Sequence, residues 1–431
     1  MNFFTKAFSK LFTKSGQRNL TDLAVIEDFS KVLGLVGDYG SLAKKGYVEN
    51  CIANTCIRRT IEAIESIPVK YMNGDSEIEL GTSNKMLRSI INAFEDPNAD
   101  NDKCMFTEAI FTQWFIDGEA YVFLPENAVG NVAGMKYLRP DKVSKTASTD
   151  DRVHMYLYTN GDERINFTRE YTQYNGERID NPPDLQGRFN MVIFKNYNPT
   201  SETDGLSRIK ACALSIDGHN KALKWNNEVM GNAGKMSGVL SFDSSDGTSL
   251  NQEQIEALRN KLDLQTTGNN RGKILVMNNP AKFQSMSLNS QEMDFINGIV
   301  QRAIDICNAL DYPPFLLGLN GVTFNNQAEA KLSLYENSAI PKAQRYYNTI
   351  TSFLNRKYGL DFSVKLCIDR VDAMAPRFAE KNDSYLKQWE KNILNHNEIR
   401  EMLGYDPSED DTGSLYYSDF SKSNNTPDIQ T

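Results

Sequence analysis

Between Asp204 and Phe324 the chain switches from helical to strand-like periodicity and back, and no other stretch restricts the possible folds as much. Asp204-Gly205-Leu206-Ser207 reads as a turn with side-chain acceptors for a helix cap, and Leu206, Ile209, Cys212, Ala213, Ile216, Leu223 and Val229 then recur at helical spacing. Gly218 is the only internal breaker before Met230, and it weakens a helix without forbidding one. A helix from Ser207 to Met230 would be a rod of roughly 35 Å at about 1.5 Å per residue. Gly231, Gly234 and Gly238 follow and suit its end. An insert comes next. Met236 to Phe242 reads as a strand, Leu250 to Leu264 as a helix with Ile255, Leu258 and Leu262 on one face, and Lys273 to Met277 as a second strand after the turn cluster Gly268-Asn269-Asn270-Arg271-Gly272. Such a β-α-β unit is too short to bury a large core by itself. A return helix carries Phe295, Ile299, Val300, Ala303, Ile304, Cys307 and Leu310, and Pro313-Pro314 excludes its continuation. The loop Gly318 to Asn326 then leads into a further helix from Gln327.

The flanking sequence predicts an α+β body with antiparallel strands. Leu20 to Leu35 suits a short helix. Tyr47 to Ile67 reads as a helix ended by Pro68, followed by a hairpin around Asn73-Gly74 with strands at Pro68–Met72 and Ile78–Leu80. Helices are expected over Met86–Phe94 and Phe106–Ile116, the second turning at Asp117-Gly118-Glu119 into a strand that ends near Leu124. Short β-prone runs follow at Met135–Leu138, Val153–Tyr158, Arg164–Phe167 and Met191–Phe194. Downstream, Gln327 to Tyr358 forms a long helix in which Pro341 predicts a kink, and Phe362 to Ile368 is a strand able to rejoin the N-terminal sheet. Phe378 to Leu403 reads as one more helix, closed by Gly404-Tyr405-Asp406-Pro407, and the acidic polar remainder from Ser408 is expected to be mobile.

Composition removes several function classes. With 431 residues, 40% of them hydrophobic and 24% charged, the chain has room for two or three domains or one large body with inserts. It contains no apolar run long enough to span a membrane, and its basic N-terminus, Met1 to Phe12, reads as a partly ordered arm. Cys51, Cys56, Cys104, Cys212, Cys307 and Cys367 are scattered, several on apolar faces, as small core residues of a reducing compartment would be. No second pair joins Cys51 and Cys56 at ligand spacing, and His154, His219 and His396 lie far apart, so neither a metal nor a cofactor is expected. The net charge of −9 argues against a broad basic DNA clamp. It is compatible with a conduit, which works when a polyanion passes without being held.

An enzyme is the rival class. Gly268 and Gly272 enclose three residues where a phosphate-binding loop has four, and Ile274 follows Lys273 where that loop needs Ser or Thr. No Gly-x-Ser-x-Gly elbow occurs, and no catalytic residue is assigned. Asp117 and Glu119 could bind a metal for nuclease chemistry, although acidic residues are common at a helix-to-strand turn. A ring-forming scaffold unrelated to packaging is a further alternative.

The order of these pieces resembles the portal, or head-to-tail connector, proteins of double-stranded-DNA tailed bacteriophages and related gene-transfer particles. The matching residues are Tyr47-Val48-Glu49-Asn50, Ser66-Ile67-Pro68-Val69, Asp96-Pro97-Asn98, Asp117-Gly118-Glu119-Ala120-Tyr121 and Leu138-Arg139-Pro140-Asp141-Lys142-Val143. They continue with Asp204-Gly205-Leu206-Ser207, Ser237-Gly238-Val239-Leu240, Gly268 to Lys273, Tyr312 to Gly318 and Asn325-Asn326-Gln327-Ala328-Glu329. Each is weak alone; their fixed order over most of the chain is specific. The family often has Ser-Pro after the Gly at the stem entrance, where this chain has Leu206-Ser207-Arg208, a departure that touches only the helix start.

By that resemblance, residues 1–36 would be an N-terminal arm, 37–203 an α+β wing, 204–235 and 290–312 the two stem helices, and 236–289 a clip. Residues 313–326 would hold the tunnel loop, 327–376 the kinked wing helix and returning strand, 377–407 a helical crown and 408–431 a mobile acidic tail. The resemblance implies a ring of twelve copies in the virion, assembled in the host cytoplasm, replacing one vertex of the major capsid protein shell. It also implies docking of the terminase large subunit, then of a head-completion or tail adaptor protein, with double-stranded DNA passing through. Asn320, Val322, Thr323, Phe324, Asn325 and Asn326 would then lie near DNA, whereas an ordinary surface turn would pack Phe324 on the next helix. Asn269, Asn270, Arg271 and Lys273 at the clip turn become candidates for docking. Lys221, Lys224 and Lys235 could face phosphates, or simply line a solvated face or pair between subunits.

Overall fold

The computed structural model describes residues 38–79, 81–147, 153–168, 189–231, 238–242, 251–253, 255–257, 260, 281–285, 295–319, 324–403, 405, 407–408 and 410–424. The expected Leu20–Leu35 helix and the N-terminal arm lie outside these residues.

The body begins with a wide π turn over Leu42–Val48, after which Asn50 breaks the helix and caps a new one, α1 (Cys51–Glu65), by accepting from the Ala53 N–H at 2.9 Å. The single helix expected from Tyr47 is therefore two pieces. Sequence periodicity hides the break because apolar spacing continues across it. Ile57, Ile61 and Ile64 of α1 are buried, each contributing roughly 2 kcal/mol of burial.

Strands β1 (Val69–Asn73) and β2 (Ser76–Glu77) form the hairpin at Gly74, whose φ of +58° suits glycine; the second strand sits earlier than the expected Ile78–Leu80. Helices α2 (Lys85–Glu95) and α3 (Lys103–Asp117) follow, each capped by an Asn or Asp side chain, Asn84 and Asp102. Then come β3 (Glu119–Phe123), β4 (Lys136–Leu138), β5 (Val143–Ala147), β6 (Val153–Asn160), β7 (Glu163–Thr168) and β8 (Met191–Lys195). All pairings are antiparallel, in the orders β4-β3-β8 and β5-β6-β7, so the predicted antiparallel α+β body is what forms.

The helix pair starts as α4 (Arg208–Ala211), breaks at Cys212, and continues as α5 (Ala213–Gly231). It is not the single rod expected from Ser207. The insert contributes β9 (Gly238–Phe242), and its antiparallel partner is β10 (Ala281–Ser285). The expected partner, Lys273–Met277, lies outside the described residues, as do parts of the Leu250–Leu264 helix. The return helix α6 (Phe295–Ala309) is followed by a turn at Asp311, whose φ is +56°.

A second correction concerns the loop. Helix α7 (Phe324–Leu334) starts three residues before the expected Gln327, so Phe324, Asn325 and Asn326 form its first turn. A π segment, Tyr335–Ala339, joins α7 to α8 (Ile340–Tyr358), and the irregularity falls just ahead of Pro341, where a kink was expected. Strand β11 (Phe362–Leu366) rejoins the N-terminal sheet in the order β11-β1-β2, with Phe362, Val364 and Leu366 buried and Ser363 and Lys365 exposed.

The Phe378–Leu403 helix is in fact two, α9 (Ala375–Glu390) and α10 (His396–Met402), because Asn395 and Glu398 close a capping box between them. The tail expected to be mobile is folded as far as α11 (Tyr417–Asn424), whose Tyr417 and Phe420 rings sit 5.0 and 5.6 Å from Trp389. Phe111, Trp114, Phe194 and Tyr346 join α3, β8 and α8 in the main core, with Phe194 stacked on Tyr346 at 5.4 Å. Tyr121, Leu138, Tyr156, Phe167 and Met191 form a smaller core between the two sheets.

Candidate functional site

The helix pair is fixed to the body at three places. At the first, the sequence stretches Asp117–Tyr121 and Asp204–Ser207 meet. Gly118 ends α3 in the left-handed region at φ +84°, and a β-carbon there would lie 2.6 Å from both the Leu206 carbonyl oxygen and the Ser207 nitrogen. A β-carbon on Gly205 would lie 2.6 Å from Glu119 Cγ and 2.7 Å from the Gly118 carbonyl carbon. Backbone thus packs on backbone. Ser207 then caps α4, accepting from the Lys210 N–H at 2.9 Å while its hydroxyl donates to the Ile116 carbonyl.

Charge reinforces this crossing. Glu119, 2% exposed, accepts from the Gly205 N–H at 2.6 Å, from the Tyr121 hydroxyl, and from Lys145 Nζ at 2.7 Å. Lys145 also reaches Asp204 at 2.8 Å and the Thr203 carbonyl at 3.1 Å. Burial and then the Glu119 charge raise the Asp117 carboxyl to about 6. Burial would raise Asp204 too, but the Lys145 bond outweighs it and holds that carboxyl below the usual range. Both Glu119 oxygens are therefore engaged in joining β3 to β5 and to the start of the helix pair, which assigns this acidic turn a structural task.

At the second place Asn50, wholly buried, caps α1 through its oxygen while its amide donates to Asn220 Oδ1 at 2.8 Å and lies 3.3 Å from His219 Nδ1. Asn220 in turn donates to the Lys45 carbonyl at 3.1 Å. Burial and then Arg302 lower the His219 pKa, so the imidazole is neutral at neutral pH. Gly218 gives Arg302 room to cross α5, since a β-carbon there would lie 2.6 Å from the guanidinium carbon. Asn50 stood in the sequence only as part of a matching motif, and the ties it makes to the helix pair, like those of His219, Asn220 and Lys145, were not signalled because they run to partners remote in the chain. A third tie holds the end of α6: Asp311 accepts from Lys342 at 3.0 Å and pairs with Arg208 at 3.6 Å.

The candidate functional residues are not gathered in one described place. Lys221 is exposed on α5 and paired with Asp217 one turn earlier at 2.6 Å, and Lys224 is exposed on the same helix. Lys235, Asn269, Asn270, Arg271, Lys273, Asn320, Val322 and Thr323 lie outside the described residues. Phe324 and Asn325 open α7, and Asn326 is exposed there. Among the described residues, no three His, Cys, Asp or Glu side chains are grouped to hold a metal, and no helix is long and apolar enough to cross a membrane.

Comparison with known proteins agrees with this architecture. A protein described as uncharacterized from Rickettsia bellii (strain RML369-C) is 25% identical over 360 residues, 83% of this chain and 87% of that one. Another, from Rickettsia felis (strain ATCC VR-1525 / URRWXCal2), is 26% identical over 379 residues. Among solved structures, a chain from the neck of an empty GTA particle computed with C6 symmetry superposes with a TM-score of 0.64 at 23% identity, covering 86% of this chain and 95% of that one. A chain from the neck of a native GTA particle computed with C12 symmetry gives 0.62 at 22% identity, covering 89% and 99%. The sequence family described as phage portal protein matches residues 52–404, so this chain, with its helix pair rooted in an α+β body, belongs to the phage portal protein family.

Proposed function

We propose that copies of this chain close into a ring at one capsid vertex and that double-stranded DNA passes through its centre during packaging and ejection. The observation that carries this reading is the helix pair itself. It is anchored at one end by buried polar and backbone contacts, carries an insert between its helices, and is followed by the segment leading into α7. A closed ring of identical copies needs a heterologous interface repeated around an axis, and a rigid, body-anchored helix pair supplies a repeatable wall for the opening. The neck structure computed with C12 symmetry supports a ring of twelve.

On this reading α4, α5 and α6 form the stem, residues 236–289 the clip, residues 313–326 the tunnel-loop region, α9 and α10 the crown, and the remaining body the wing. Asn269, Asn270, Arg271 and Lys273 would sit where the insert projects, the place for the terminase large subunit and later an adaptor to dock. Asn320, Val322, Thr323, Phe324, Asn325 and Asn326 would face the passage, with Lys221, Lys224 and Lys235 along the stem. The major capsid protein would surround the wing, and the virion would be assembled in the host cytoplasm. The net charge of −9 favours passage over retention of a polyanion.

Native mass measurement with top-view imaging of the purified protein tests the ring: twelvefold particles with an open centre are expected, and a monomer at every concentration would end the reading. In a packaging assay, Phe324→Ala is expected to lower packaged or retained DNA with ring formation unchanged. Packaging equal to wild type removes that residue from the proposal.

A further inference from the structure

Cys56 of α1 and Cys307 of α6 are both fully buried, and their sulfurs lie 3.7 Å apart, although 251 residues separate them in sequence. One belongs to the body and the other to the returning helix of the pair, close to the point where the Tyr312 N–H donates to the Cys307 carbonyl and the chain turns away. Cys212, also buried, donates its thiol to the Arg208 and Ile209 carbonyls of its own helix at 3.3 and 3.6 Å. Cys51 and Cys104 are exposed.

We propose that Cys56 and Cys307 are a reversible disulfide site that ties α1 to α6, oxidised by small-molecule disulfides and reduced by free thiols. A disulfide needs a sulfur separation of about 2.05 Å, so the bond forms from the present 3.7 Å contact by side-chain rotation together with whatever local adjustment of the α1–α6 packing draws the sulfurs together. The contact with Cys56 pulls the Cys307 thiol down, while that same contact and burial push Cys56 up, which makes Cys307 the sulfur that reaches thiolate first. Cys307 attacks one sulfur of the small disulfide and releases one thiol. Cys56 then loses its proton and attacks the Cys307 sulfur of the mixed disulfide, releasing the second thiol. Two protein thiols are oxidised, the small disulfide is reduced to two thiols, and the two protons leave on them. Because both sulfurs are buried, the rate follows local opening of the α1–α6 contact. A chain made in a reducing compartment and later carried outside it would meet both conditions. The site lies within each copy and does not rest on ring closure.

The test uses the full chain, incubated with glutathione disulfide both in buffer and at urea concentrations below the unfolding transition, then alkylated and digested without reduction for mass spectrometry. A peptide pair joining Cys56 to Cys307, two hydrogens lighter than the separate peptides and lost on dithiothreitol treatment, is the expected product. Cys212→Ser should retain it; Cys307→Ser should abolish it while leaving the far-ultraviolet circular dichroism unchanged. Full alkylation of both cysteines, separate glutathione adducts, or linkage to Cys212 under both conditions would overturn the proposal. Oligomer mass, measured on the same samples, reports separately on the ring.

Discussion

The root of the helix pair and the C-terminal helices are held by opposite means. At the root, Asn50, Glu119, Ser207 and His219 are nearly or wholly buried and their polar atoms are engaged across distant parts of the chain. The module of α9, α10 and α11 has no buried residue in α9, rests on the Trp389, His396, Tyr417 and Phe420 rings, and leaves Leu386, Ile393, Met402 and Tyr405 exposed. Buried, satisfied polar groups specify one geometry, because any other arrangement strands a charge or a donor. A few half-exposed rings specify much less and open at lower cost. The difference separates a joint held in one geometry from a module that opens locally at lower cost.

The largest effect should come from Gly118→Val, which forces a branched side chain into the left-handed region against the Leu206 and Ser207 backbone. A loss of about 4 kcal/mol or more in denaturant unfolding is expected. A loss under about 1 kcal/mol would mean the crossing yields easily and would break the contrast between the two regions.

Lys145→Met is expected next, at about 3 kcal/mol, since it leaves Glu119 buried with its Gly205 and Tyr121 contacts but no counter-charge. Lys145→Arg should recover part of it, and equal losses for both variants would point to packing instead of charge.

Asp117 gives a pH signature. Its folded pKa, about 6, lies above the ordinary value of 3.8, so its contribution is complete below about pH 4 and is lost as pH rises through about 6. Asp117→Asn, uncharged throughout, should gain roughly 2 kcal/mol over wild type near pH 8, with the gain shrinking toward pH 4. A difference independent of pH in matched urea melts would dismiss the buried carboxyl as its source. The smallest global effect belongs to Trp389→Ala. Hydrogen exchange should quicken across residues 375–424 while the body keeps its protection and the free energy of the main unfolding transition changes by less than about 1 kcal/mol. Loss of protection in α1 or α3 would show that the module is coupled to the root after all.

Periodicity made the architecture readable where each element answers to its own spacing. The buried alternation of Phe362, Val364 and Leu366 pointed to β11, and Pro313-Pro314 pointed to the end of α6. It was blind to changes that preserve apolar spacing, hence the missed breaks at Asn50 and Cys212 and the π segment at Tyr335–Ala339. The split between α9 and α10 had a legible signal, Asn395 three residues before Glu398, which the continuous stripe from Phe378 to Leu403 masked. Strand β5 went unread because Val143–Ala147 offers only one large apolar residue. At the candidate site the two acidic-glycine turns were visible separately, but nothing in either announced that they touch. The Asn50 contact with His219 spans 169 residues, and no local pattern encodes a partner so remote.

The meeting of Gly118 with Gly205 also limits how such a chain can drift. Because each position is closed to a side chain by the other's backbone neighbourhood, with Glu119 Cγ adding to it only at Gly205, a change at one cannot be rescued by shrinking the other. A lineage that keeps this crossing keeps two glycines, and one that loses either must reroute the entry to its helices.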